Sequence, residues 1–167
     1  MNGLPAQDRR SARVIVVDER GRVLLIRVSD PRDVRPPSWI TPGGGLEPGE
    51  ELVDAAVREL REETGLVVTP EELGSPVATC RGEWVFRGTR YRSHDVFFAV
   101  TTSAFELDES GWTDLEREVH AAWRWCETGD LESLDGEVVP AGLADVVASI
   151  VSGQRPDTPL ELPWRTL

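Results

Sequence analysis

Apolar residues along this chain follow two periods. The runs ARVIVV at 12–17 and VLLIRV at 23–28 are β-branched and apolar, and Asp18-Glu19-Arg20-Gly21-Arg22 between them completes a hairpin signal. Residues 77–86 and 90–101 predict a second hairpin around Gly88. In its later strand Val96, Phe98 and Val100 take one side and Phe97 and Ala99 the other, so both faces are expected to be buried. From residue 53 the period changes. Val53, Ala56, Val57 and Leu60 form one stripe at helical spacing. Leu143, Val146, Val147 and Ile150 do the same within 142–152, predicting a helix that closes the fold by packing. Ala121-Ala122-Trp123-Arg124-Trp125 reads as a short strand, and residues 29–38, with Pro31, Pro36 and Pro37, as a loop.

The polar face of the first helix is the informative one. Glu59, Glu62 and Glu63 stand three and four residues apart, so their carboxylates converge. Two like charges about 4 Å apart repel by roughly 4 kcal/mol at an effective dielectric near 20. A hard divalent cation relieves that cost, and Mg²⁺ binds one or two carboxylates together with substrate phosphate. The plainer reading is a solvated charged face, since Arg58 and Glu62 form an i,i+4 pair.

The preceding residues favour the metal. Trp39-Ile40-Thr41-Pro42-Gly43-Gly44-Gly45 is an extended segment entering a glycine turn, where a carbonyl such as that of Gly43 can approach a metal and an amide such as that of Gly44 an anion. Pro48-Gly49 makes a second turn, and Glu50 and Glu51 are then expected in the first helical turn. Gly65 is the expected C-cap.

Gly44, five residues, Glu50, seven residues and Arg58-Glu59-Leu60-Arg61-Glu62-Glu63-Thr64-Gly65-Leu66 resemble the Nudix box of the Nudix hydrolases at every specified position. The resemblance implies an α/β fold, an α/β/α sandwich with a mixed sheet between helices, over residues 10–153, with 154–167 as a proline-containing tail. It also implies hydrolysis of the diphosphate linkage of a nucleoside diphosphate derivative or nucleoside triphosphate, with Mg²⁺ or Mn²⁺ as cofactor. Glu59 and Glu63 fall on the family's usual metal ligands. By the same resemblance Glu62 would be a further ligand or a partner of metal-bound water, Arg58 would orient the carboxylates, and Glu50 would brace the loop. Relatives place another carboxylate on a polar loop before a tryptophan-rich strand, which makes Glu116, then Glu118, the candidate here. Glu62 and Glu116 compete as general base.

Substrate contacts are less determined. Arg13, Arg27, Arg32 and Arg35 are candidate phosphate clamps, against a plain reading as surface charge. Trp84, Phe86 and Tyr91 are candidate base-stacking residues or ordinary sheet packing. Trp39 reads as packing. His94 and His120 are too far apart for a histidine metal centre.

Composition agrees with a compact enzyme. A length of 167 residues, 40% of them hydrophobic, suits one core. A formal charge of −12 opposes binding to a nucleic-acid duplex, whereas a small anionic nucleotide can bind through cations. No apolar run suits a membrane span and no signal peptide is evident, so cytoplasm is the default expectation. Cys80 and Cys126 lack a CxxC spacing and read as reduced thiols. The segment GQRPDTPLELPWRTL has no regular period; Leu160, Leu162 and Trp164 can pack along the domain or a second subunit, and the resemblance allows a homodimer. Two other classes use this scaffold: a non-catalytic nucleotide sensor and a diphosphate isomerase, the latter needing a cysteine beside the metal helix.

Overall fold

The computed structural model describes residues 5–165. Its strands are β1 (Gln7–Val17), β2 (Val23–Val28), β3 (Ser38–Ile40), β4 (Gly43–Gly45), β5 (Ala78–Phe86), β6 (Thr89–Thr101), β7 (His120–Cys126), β8 (Glu137–Val139) and β9 (Leu160–Leu162). The helices are α1 (Leu52–Thr64), α2 (Pro70–Leu73), α3 (Asp114–Val119) and α4 (Leu143–Val151). The strands run β8-β3-β2-β1-β6-β5-β9, with β4 added to β1 and β7 to β2. Pairs β1/β6, β3/β8 and β5/β9 are parallel and the others antiparallel, so the sheet is mixed.

Alternation along β1 builds two cores. Ala12, Val14 and Val16 join Leu24, Val96, Phe98, Ala56 and Leu60 on the α1 side. Ile15 and Val17 join Leu25, Phe97, Ala99, Leu143 and Val147 on the α4 side. The sheet therefore lies between helices as an α/β/α sandwich, and β6 is buried on both faces as its sequence predicts.

Both hairpins form. Asp18 fastens the first by accepting hydrogen bonds from the Arg20 and Arg22 amides, each at 2.9 Å. The second turns through Arg87 (φ 49°) and Gly88 (φ 82°), successive positive φ values that a two-residue hairpin requires.

Four details differ from the sequence expectations. β1 begins at Gln7, because its polar first half pairs with Tyr91–Asp95 of β6 and needs no apolar signal. Helix α1 begins at Leu52, with Glu51 as N-cap; Glu50 lies before the helix and reaches Arg58. The polar stretch before β7 is helical: Thr113 and Glu116 form a capping box that starts α3. Residues 160–162 add a strand beside Ala78–Cys80, with Leu162 and Trp164 packed on the α4-side core. Among the described residues no helix is long and apolar enough to cross a membrane.

Candidate active site

The pairing of β4 with Ser11–Arg13 lays the glycine turn across the N-terminal half of β1, directly beside α1. Gly43 has φ 140°, and a Cβ there would stand 2.3 Å from the Ala12 carbonyl oxygen, so glycine is required. The Gly43 amide donates to Glu63 Oε2 at 2.7 Å. Gly44 faces Glu59. At the other end of the helix Gly65, with φ 80°, donates its amide to the Arg61 carbonyl and closes α1.

Carboxylate oxygens of Glu59, Glu63 and Glu116 all lie within 4.8 Å of one another. Glu59 and Glu63 are one helical turn apart and buried, at 8% and 4% exposure. Burial raises the pKa of Glu59 against the pull of Arg58. Burial pushes Glu63 up to about 8, with the Gly43 hydrogen bond opposing and the Glu59 charge adding to the rise.

Arg58 organises one flank. It donates to both oxygens of Glu50 at 2.8 and 2.9 Å, to Glu59 Oε1 at 2.9 Å, to Glu62 Oε2 at 3.2 Å and to the Gly45 carbonyl at 3.1 Å. Hydrogen bonding to Arg58 holds the Glu50 carboxyl down at about 2. Glu62 stays half-exposed in this network, outside the cluster of three.

The third carboxylate arrives through contacts that sequence reasoning missed. The Trp112 indole donates to the Glu63 backbone carbonyl at 2.7 Å, and Gly111 closes against the Glu62 backbone. This docks the segment ahead of α3 on the end of α1. Glu116 then accepts from the Thr113 amide at 2.7 Å as part of its capping box. The T-x-x-E spacing at 113–116 is the signal that marks it. Glu118 instead pairs with Arg32 and Arg87, each at 3.0 Å. His120 Nε2 lies 3.9 Å from Glu63 Oε1, and burial lowers its pKa.

The candidate clamps already hold carboxylates. Arg13 donates to Asp95 at 3.1 Å and to the Thr41 and Gly43 carbonyls at 3.1 and 3.4 Å. Arg27 pairs with Asp135 at 3.0 Å and Arg35 with Asp33. Arg9, which the sequence reading passed over, makes no ion pair among the described residues; it lies beside Gly45 and 5.6 Å from the centre of the Trp84 ring. Asp95 was also missed. An acid inside the apolar run of β6, in step with Phe97, was its signal.

A model of the NUDIX domain matches residues 7–145. The chain belongs to the Nudix family. This Nudix chain is 33% identical over 136 residues to an RNA pyrophosphohydrolase of Novosphingobium aromaticivorans, covering 72% of this chain and 78% of that protein. It is 46% identical over 50 residues to the nucleoside triphosphatase NudI of Escherichia fergusonii, covering 30% and 36% of the two chains. Among solved structures, a MutT protein from Methanosarcina mazei Go1 superposes with a TM-score of 0.64 at 20% identity, over 90% of this chain and 97% of that one. That likeness supports the fold.

The remaining sequence candidates lie away from the cluster. Trp39 is buried, and its indole donates to the Asp135 carbonyl at 3.1 Å. Cys126 is a buried free thiol. Cys80 is a free thiol in the α4-side core, where burial pushes its pKa up to about 12. It packs on the α4 side of the sheet, away from α1 and its carboxylates.

Proposed function

We propose that this Nudix protein is a Mg²⁺- or Mn²⁺-dependent hydrolase that cleaves the diphosphate linkage of a free nucleotide, a nucleoside diphosphate derivative or a nucleoside triphosphate. The observation that carries the reading is the convergence of Glu59, Glu63 and Glu116 within 4.8 Å, with two of the three buried. Such a donor set suits a hard cation and little else. Glu59 and Glu63 would hold it, joined by the Gly43 carbonyl and, at the edge, by Glu62 or Glu116. A divalent ion there supplies charge neutralisation on the phosphate oxygens and a water acidified enough to act as nucleophile.

The chain's own groups do the rest. Arg58 fixes the Glu59 carboxylate, and Glu50 fixes Arg58, so the acidic frame is set before substrate arrives. Glu116 would accept the proton of the attacking water; its capping-box bond orients the side chain. Glu62 is the competing base, tied to Arg58. Arg9, which makes no ion pair among the described residues, would be a cation for the phosphates, and Arg13 stands behind the glycine turn. The overall charge of −12 favours a small nucleotide over a nucleic-acid duplex. The nucleoside triphosphatase named among the relatives acts within this class of substrate, and the RNA pyrophosphohydrolase, by its name, cleaves a pyrophosphate linkage of RNA.

The test is turnover in Mg²⁺ over nucleoside triphosphates, nucleoside diphosphate sugars, dinucleotides and dinucleoside polyphosphates, with products resolved by mass. Release of two phosphorylated products, lost in Glu63→Gln, supports the reading. Binding without turnover across the panel would make the protein a sensor.

A further inference from the structure

The arginine at the turn of the β5–β6 hairpin reaches two other segments at once. Arg87 donates to Asp30 Oδ2 at 2.8 Å, on the loop after β2, and pairs with Glu118 Oε2 at 3.0 Å, on α3. Arg32 takes the other Glu118 oxygen at 3.0 Å. We propose that Arg87 is a positioning residue for the reaction: through Glu118 it sets the rotation of α3 and so holds Glu116 over Glu59 and Glu63. The inference rests on the nucleotide hydrolase reading above, in which Glu116 serves the attacking water.

Helix α3 cannot set its own direction. It has six residues, and helices shorter than about 12 residues are marginal without packing. The capping-box bond between Glu116 and the Thr113 amide lies within the helix and its cap, and turns with them. Trp112 holds the chain ahead of α3, and at its far end the Val119 carbonyl accepts from the Ser29 amide at 2.8 Å. These fix the two ends and leave the roll between them to the side chains. Glu116 and Glu118 are two residues apart, about 200° around the helix, so a pull on Glu118 from one side presents Glu116 on the other. Among the described residues Glu118 forms the only ion pairs between α3 and other segments.

Exposed single ion pairs contribute little, but networks partly withdrawn from water hold more firmly. The side chain of Asp30 is 7% exposed and that of Arg87 27%. Asp30 also accepts from the Arg32 amide at 3.0 Å, so Asp30, Arg87, Glu118 and Arg32 close a ring. The backbone at the hairpin turn points the same way. Arg87, with φ 49°, is the only non-glycine residue of positive φ among the described residues, at a turn position that favours Asn, Asp or Gly. Unfavourable conformations of this kind cluster where a side chain is needed for function. Arg35 donates to the Val85 carbonyl and ties the same proline-containing loop to the same hairpin. Arg32 and Glu118, candidates in the sequence for phosphate contact and for the further carboxylate, are thus engaged with each other, and their effect on the chemistry passes through the placement of Glu116.

The experiment measures steady-state kinetics in Mg²⁺ with the nucleotide that the wild type turns over fastest, beside Mn²⁺ binding to the substrate-free full chain by electron paramagnetic resonance. Arg87→Gln and Glu118→Gln should each lower kcat about tenfold with KM unchanged, within the hundredfold that a misplacement of about 1 Å can cost. Both should weaken Mn²⁺ binding, because one of three converging carboxylates is no longer held in place. Combined with Glu116→Gln, neither change should lower kcat or Mn²⁺ affinity further, whereas a general loosening of the structure would multiply the two losses. Wild-type kcat in both folded variants, or an equal loss with and without Glu116→Gln, overturns the inference and leaves the hydrolase reading standing. If Arg87→Gln does not melt as a folded protein, Arg87→Lys takes its place with the same expectations, since lysine keeps the charge but lacks the fork that bridges two carboxylates. A wild type that turns over no nucleotide, with or without bound Mn²⁺, removes the hydrolase reading and the inference with it.

Discussion

A Cβ on Gly44 would stand 2.6 Å from Oε1 of Glu59, so the bare backbone at 44 and the buried carboxylate at 59 occupy adjoining space with nothing to spare. Gly44→Ala must push Glu59 out of place while disturbing little else. We expect Mg²⁺-dependent turnover to fall by about 10–100-fold, the scale for losing the support of a metal ligand. Thermal melting should change little. Wild-type turnover in this variant would mean that the position of Glu59 does not matter.

Glu63 makes the metal-free protein sensitive to pH. Its folded pKa is about 8 against an ordinary 4.5, so the folded state retains a proton that the unfolded chain loses. The associated stability is complete below pH 4.5 and disappears as pH rises to about 8. In EDTA the melting temperature should decline across that window. Glu63→Gln should flatten the decline and melt higher than wild type at pH 8.5, while losing the stabilisation that Mg²⁺ gives. Identical pH profiles for the two proteins would remove Glu63 as the source.

Glu50 works in the opposite direction. Hydrogen bonding to Arg58 lowers its carboxyl from 4.5 to about 2, so its contribution is present above pH 4.5 and lost as pH falls toward 2. Acid titrations followed by circular dichroism should show Glu50→Gln losing less stability over that range than wild type. The same variant should lose about 10–100-fold in turnover at neutral pH, because Arg58 is no longer anchored.

Two glutamates compete as base, and one pair of variants separates them. Glutamine also serves at the third position of a capping box, so Glu116→Gln keeps α3 while removing the charge. We expect it to lower kcat about a hundredfold, the scale of general-base catalysis, and to change the acid limb of the pH–rate profile. Glu62→Gln should cost less. The reverse order would transfer the role to Glu62.

The carboxylate cluster was legible in residues 44–66 because it is local: glycine turn, helix and carboxylates adjoin in the chain, and helical spacing brings Glu59 and Glu63 together. The apolar β-branched runs and the second hairpin pattern likewise marked β1, β2, β5 and β6. What joins distant segments was less legible. Glu116 comes over Glu63 only because Trp112 docks on the backbone of α1, and no periodicity encodes that contact. Arg13 was recognisable as a cation, whereas its partner Asp95, 82 residues away, is set by the register of parallel strands. β9 carries three residues of strand among prolines, too few to announce a period.

Strand β1 turns alternate residues toward opposite layers, Ala12, Val14 and Val16 to the acidic helix and Ile15 and Val17 to the layer of α4. One backbone thereby insulates two inheritable traits. Changes to β5 or to the segment after residue 160 alter the α4-side layer without passing through the frame of Glu59 and Glu63. A lineage built this way can vary one face of the sheet in small steps while the carboxylate frame on the other face is kept.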